Sequence, residues 1–302
     1  MKNKGRPFLY FAILSCIYIV LSLVLPVNRH TLVTYHLSNA QYHVLILTII
    51  LPLVAIWFAA FYGYAKLQEY AETVQKTPEG PSFKTISRGA AWLAWTLPAS
   101  SISSVIFTAI ANVHPGFHNA AVIVDNYISL FFGLVAFIII SRGTRGLTDI
   151  VRPKPNLFGF RNLIVLFITI GVVFCYTTLN NIIDAHHGNP YHLPVWLLLF
   201  TIIVPYLYAW FLGLLAAYEV GLYSKNVKGV LYKQALNLLG LGIIGVIVTS
   251  ITIQYLSSLS ASLNHLTLGY LLVVIYVLLI LYAVGYLLIA LGAKKLRKIE
   301  EV

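Results

Sequence analysis

The chain has 302 residues, of which 59% are hydrophobic and only 10% charged, with a mean hydropathy of +0.85. A water-soluble domain is about 25% charged, so this chain lacks the side chains needed to cover a water-facing surface. A formal net charge of +11 would suggest nucleic acid in a soluble protein, but in so apolar a chain it is first a topology signal. The two cysteines, Cys16 and Cys175, are too few for a disulfide framework or a thiolate metal site.

Eight stretches are long and apolar enough to cross about 30 Å of hydrocarbon at about 1.5 Å per residue. They are 7–27, 43–65, 89–113, 119–140, 162–183, 193–217, 236–256 and 266–291. Alternating strand patterns are absent, so the expected fold is an all-α integral membrane protein with eight transmembrane helices rather than a β-barrel. The first stretch follows Lys2, Lys4 and Arg6. It is too long for a signal peptide and no small-residue cleavage site follows it, so it reads as a retained anchor.

In the second stretch Thr48-Ile49-Ile50-Leu51-Pro52 precedes Trp57-Phe58. In the sixth, Thr201-Ile202-Ile203-Val204-Pro205 precedes Trp210-Phe211. The offset is 153 throughout, and Tyr70 matches Tyr223 at the same shift. Upstream, an offset of 156 sets Tyr35-His36 on Tyr191-His192. The expected organisation is therefore two four-helix membrane repeats, 1–150 and 151–302, joined at Arg152-Pro153-Lys154-Pro155. Four is an even number, so the repeats would enter from the same side and be parallel-related about an axis along the membrane normal. Pro52 and Pro205 read as paired kinks. Ala59/Gly63 and Gly213/Ala217 read as small-residue helix contacts.

The connection from Lys66 to Arg88 is expected to prolong the second helix, with Glu72 and Lys76 paired one turn apart, before breaking at Pro78-Glu79-Gly80-Pro81. On this topology 19 of the 20 lysines and arginines lie on one side, with Arg29 alone on the other. By the positive-inside rule both termini are cytoplasmic in a plasma-membrane protein. Glu219 reads as a solvated anchor at the cytoplasmic end of the sixth span, and no charge falls at mid-bilayer, which disfavours a proton relay.

All nine histidines fall on the opposite, outer side. His36, His118, His192 and His265, with Asp125, form a candidate metal set, because imidazole is the commonest metal ligand. A transition metal or haem would be the cofactor. Tyr35, Tyr191 and Asp184 are candidate outer acceptors. An intramembrane carboxylate such as Asp125 is a functional candidate whose partner would be a histidine or an aqueous vestibule. Polarity also gathers toward the outside: Thr177, Thr178, Asn180 and Asn181 close the fifth span, Thr249, Ser250, Thr252, Gln254, Ser257 and Ser258 line the seventh, and Ser103, Ser104, Thr108 and Asn112 the third.

Catalytic signatures are absent. Gly240-Leu241-Gly242-Ile243-Ile244-Gly245 fits the dinucleotide fingerprint literally but has no preceding strand, so it reads as a packing surface. The expectation is a non-enzymatic, permease-like or accessory membrane subunit whose outward-facing vestibule takes a small polar solute or ion. The alternatives are a membrane metalloprotein or oxidoreductase using the outer histidines, and a scaffold for a membrane protein partner. The lipid bilayer is the expected surrounding, with no role for nucleic acid.

Overall fold

The computed structural model describes residues 6–24, 38–114, 118–151, 203–258 and 268–300, together with Phe200 and a few positions between 161 and 171. Seven helices lie among these residues: α1 (Arg6–Val24), α2 (Asn39–Thr73), α3 (Gly80–Val113), α4 (His118–Val151), α5 (Val204–Asn226), α6 (Val230–Ser258) and α7 (Leu268–Glu300). No strand occurs among the described residues. Six of the helices, all but α5 as bounded here, are long and apolar enough to cross a membrane. Helices are the expected form, because in hydrocarbon each backbone N–H and C=O must be satisfied within its own segment. The chain reads as a multi-pass membrane protein lying in a lipid bilayer.

Local sequence sets the helix ends. Ser38 and Gln41 form a capping box at the start of α2: the Ser38 hydroxyl accepts from the Gln41 N–H, and the Gln41 side chain accepts from the Ser38 N–H, satisfying two otherwise orphaned donors. Gly229, at φ 97°, makes the tight link between α5 and α6 in the left-handed region that only glycine enters freely. The second helix ends at Thr73 and the third begins at Gly80. The expected Glu72–Lys76 pair therefore does not form; Glu72 instead accepts from Gln68 at 3.2 Å.

Six helices close a ring. Each of α2 to α7 packs on the next, α7 returns to α2, and α1 lies outside against α2 and α3. Two contacts in the ring are built on glycine. A Cβ on Gly89 would stand 2.9 Å from the Ile140 amide nitrogen, and one on Gly143 2.9 Å from that of Ile86, so α3 and α4 touch backbone to backbone. Gly242 does the same against Ile289 (2.7 Å) and Gly292 against Leu239 (2.9 Å), joining α6 to α7. Absent side chains let helix backbones approach where no hydrophobic effect drives association. The literal dinucleotide fingerprint thus lies, through Gly242, in a helix contact.

Trp57 of α2 and Trp210 of α5 are almost wholly buried, as are Tyr70 and Tyr223 further along the same helices. Aromatic contacts hold α1 in place: Phe11 meets Phe58 with ring centroids 5.5 Å apart, and Tyr18 meets Trp57 at 4.9 Å. Pro52 lies inside α2, and Pro205 follows Ile203, whose backbone is itself helical (φ −66°, ψ −52°), so helical conformation already precedes the second proline.

Candidate functional site

Inside the ring is a cavity of about 150 Å³, bordered by α3, α4, α5, α6 and α7. Thr96 and Ser100 come from α3, Ser129 from α4, Tyr206 from α5, Ser250 from α6 and Tyr282 from α7. Leu97, Leu130, Phe137, Trp210 and Ile253 supply apolar walls. No lysine, arginine, aspartate, glutamate or histidine is among the lining residues. The Thr96 hydroxyl donates to the Trp92 carbonyl of its own helix at 3.0 Å. Its oxygen remains able to accept a second hydrogen bond. A mid-helix space of this volume has room for several waters, each needing a small share of polar lining. Chemically, the lining suits an uncharged polar species: hydroxyls offer both donors and acceptors, and aromatic faces offer apolar contact.

The end of the ring that carries the lysines and arginines is cross-linked by polar groups. Glu79, at the N-cap of α3, accepts from the Tyr223 hydroxyl through Oε1 and from the Tyr232 hydroxyl through Oε2, the latter at 2.7 Å. Tyr70 and Tyr232 share a further hydrogen bond at 3.0 Å. Four helices, α2, α3, α5 and α6, are thereby tied together around one carboxylate. Nearby, Glu69 binds Lys66 at 3.0 Å and Arg297 at 2.5 Å, linking α2 to α7.

Glu219 is not the solvated anchor expected from sequence. It is buried, and accepts from the buried Thr144 hydroxyl at 2.5 Å across the α4–α5 contact. Burial without a partner would cost several kcal/mol, and the threonine supplies part of the lost solvation. The sequence signal that was available is modest: Glu219 is flanked by Tyr218 and Val220 and lies six positions before Lys225, in the last turn of the same helix.

Of the residues singled out from sequence, His36, His192, His265, Tyr35, Tyr191, Asp184, Asn180 and Asn181 lie outside the described residues. The side chains of His118 and Gln254 do as well. Asp125 is described: it is half-buried near the start of α4 and accepts from the Ser103 hydroxyl of α3. Its partner in the structure is thus a serine of the neighbouring helix. Thr252 donates to the Val248 carbonyl of its own helix at 2.8 Å and is not among the cavity-lining residues, whereas Ser250, two positions earlier, is. Among the described residues no three of His, Cys, Asp and Glu gather as a metal site would require. Ser129, Tyr206 and Tyr282 are cavity residues that sequence reasoning missed, because no motif or spacing sets them apart and only the ring brings them together.

No protein-family model matches the chain, and neither a curated protein nor a solved structure matches it significantly.

Proposed function

We propose that this chain is a permease-like protein of the plasma membrane, built from two parallel four-helix repeats (1–150 and 151–302) that cross the bilayer eight times with both termini cytoplasmic. A small, uncharged polar solute enters from the outer side and binds in the cavity within the ring. The observation that carries this reading is the composition of the cavity wall. Leu97 and Ser250, and Ser100 and Ile253, stand 153 positions apart, while Gly133 and Tyr282 stand 149 apart. Matched positions of both halves thus border one space, as expected of a binding site on the axis between parallel repeats.

The repeat itself has support beyond the matching sequence segments. The glycine contacts correspond pair by pair: Gly89 against Ala136 and Ile140 becomes Gly242 against Gly285 and Ile289, and Gly143 against Ser82 and Ile86 becomes Gly292 against Ala235 and Leu239. Every α3 position shifts by 153 to α6, and every α4 position by 149 to α7. The α1–α2 ring contact Phe11–Phe58 has the counterpart Phe167–Phe211, at shifts of 156 and 153. An outward-facing cavity accords with the hydrogen-bonded cluster around Glu79, which ties together four helices at the lysine- and arginine-rich end that the positive-inside rule assigns to the cytoplasm.

The test is uptake of small neutral polyols, amides and sugars into liposomes holding the purified protein. Ser100→Leu and Ser250→Leu fill the cavity from two helices and are expected to abolish uptake, while the proteins still elute as the wild type does. Absence of flux for every solute, or flux unchanged in both variants, would overturn the reading.

A further inference from the structure

A second concavity, of about 620 Å³, lies at the lysine- and arginine-rich end outside the ring, between the last turns of α2 and the first turns of α3. The wall from α3 presents Lys84, Arg88 and Trp92, spaced four residues apart and so stacked along one helix face. Facing them on α2 are Tyr64, Gln68 and Glu72, also four apart. Lys84 and Arg88 are both exposed, and among the described residues neither has a carboxylate within ion-pair distance. Glu69 takes up Lys66 and Arg297, and Glu72 accepts from Gln68. Two cations against one carboxylate leave the cleft with a net positive charge.

The depth of these residues is graded. Trp92 and Tyr64 have apolar bodies and polar tips, the combination that settles at the boundary between hydrocarbon and headgroups. Arg88 and Lys84 stand about 6 and about 12 Å further along the axis at the helical rise per residue, which is the level of the phosphates. The arrangement is peculiar to this half of the chain. Shifted by 153, Lys84 becomes Asn237, already hydrogen-bonded to Ser224, and Arg88 becomes Leu241, which is exposed. Around the α5–α6 connection the second half carries its cations instead at Lys225, Lys228 and Lys233, so the stacked pair is confined to the α2–α3 cleft.

We infer that the α2–α3 cleft binds the headgroup of an anionic phospholipid, with Lys84 and Arg88 on its phosphodiester and Trp92 and Tyr64 against the upper acyl chain and glycerol. Basic pockets between membrane helices hold such headgroups by this chemistry. The cleft lies outside the ring, so the inference does not depend on transport through the cavity.

Native mass spectrometry of the full chain, titrated with phosphatidylglycerol and separately with phosphatidylcholine, reads bound lipid directly. Phosphatidylglycerol is expected to be retained in preference. Near a membrane surface each basic residue contributes about a fivefold change. Lys84→Ala should therefore lower retention about fivefold and the double variant with Arg88→Ala roughly 25-fold. Arg88→Lys should keep most of it, and Lys225→Ala, an exposed cation elsewhere at the same end, should change nothing. Both target side chains are exposed, so the variants should elute as wild type; Lys84→Gln with Arg88→Gln provides a second charge-neutral pair. Undiminished retention in the double variants, an equal loss in Lys225→Ala, or full displacement of the lipid by inorganic phosphate at the same concentration would overturn the inference; the last would assign the cleft to a soluble phosphate.

Discussion

Glu79 shows how much one side chain can organise. From sequence it is one acidic residue in a Pro-Glu-Gly-Pro turn, yet its two oxygens accept from Tyr223 and Tyr232, which belong to the other half of the chain. Side-chain hydrogen bonds of this kind contribute about 1–2 kcal/mol each. Glu79→Ala should therefore destabilise the protein by about 2–4 kcal/mol, read as a lowered midpoint in thermal unfolding of the purified protein in detergent. Tyr223→Phe and Tyr232→Phe should each cost about 1–2 kcal/mol, and a double-mutant cycle with Glu79→Ala should show strong non-additivity, because the residues share one network. Additive effects would mean that Glu79 contributes to the helix start alone. Nothing in the local sequence marks this residue, since its partners stand more than 140 positions away.

At the level of the helix, glycine position decides packing. Gly242 meets backbone of α7: a Cβ there would lie 2.7 Å from the Gly285 carbonyl oxygen and from the Ile289 nitrogen. Gly221 on α5 has nothing within 4 Å. Gly242→Ala is accordingly expected to destabilise by about 1–3 kcal/mol, the usual range for overpacking a close contact, whereas Gly221→Ala should be neutral or stabilising by up to about 1 kcal/mol through helix propensity. Thermal unfolding of the two variants side by side checks this; equal effects would show that the α6–α7 approach is looser than described. The helices themselves were largely legible in the sequence, because apolar length is a direct consequence of bilayer thickness. Their ends were less so. The second helix runs past the apolar stretch to Thr73 and the third starts nine residues before it, at Gly80, because polar residues continue a helix outside hydrocarbon as readily as apolar ones do within it. Gly143 and Gly292 stand 149 rather than 153 positions apart, so a fixed offset of 153 does not bring them into register, although each meets the backbone of a neighbouring helix.

For the whole molecule, the distribution of cations makes an orientation prediction. Lys66, Lys84, Arg88, Arg142, Lys225 and Lys294 all come from helix ends that the ring gathers on one side. If that side is cytoplasmic, a reporter fused after Val302 should be active as a cytoplasmic fluorescent protein and inactive as a periplasmic or lumenal phosphatase; the reverse pattern would invert the topology. The amino-acid sequence by itself determined that this chain is helical, multi-pass and charge-sorted, because hydrocarbon thickness, backbone desolvation and the cost of burying charge act on each segment separately. Only the tertiary structure decided that the helices close into a ring, that Glu219 is buried and Glu79 bound by Tyr223 and Tyr232, and that Ser100, Ser129, Tyr206, Ser250 and Tyr282 face one cavity. Those are relations between segments far apart in the chain, and no local pattern of polarity encodes which face of one helix will meet which face of another.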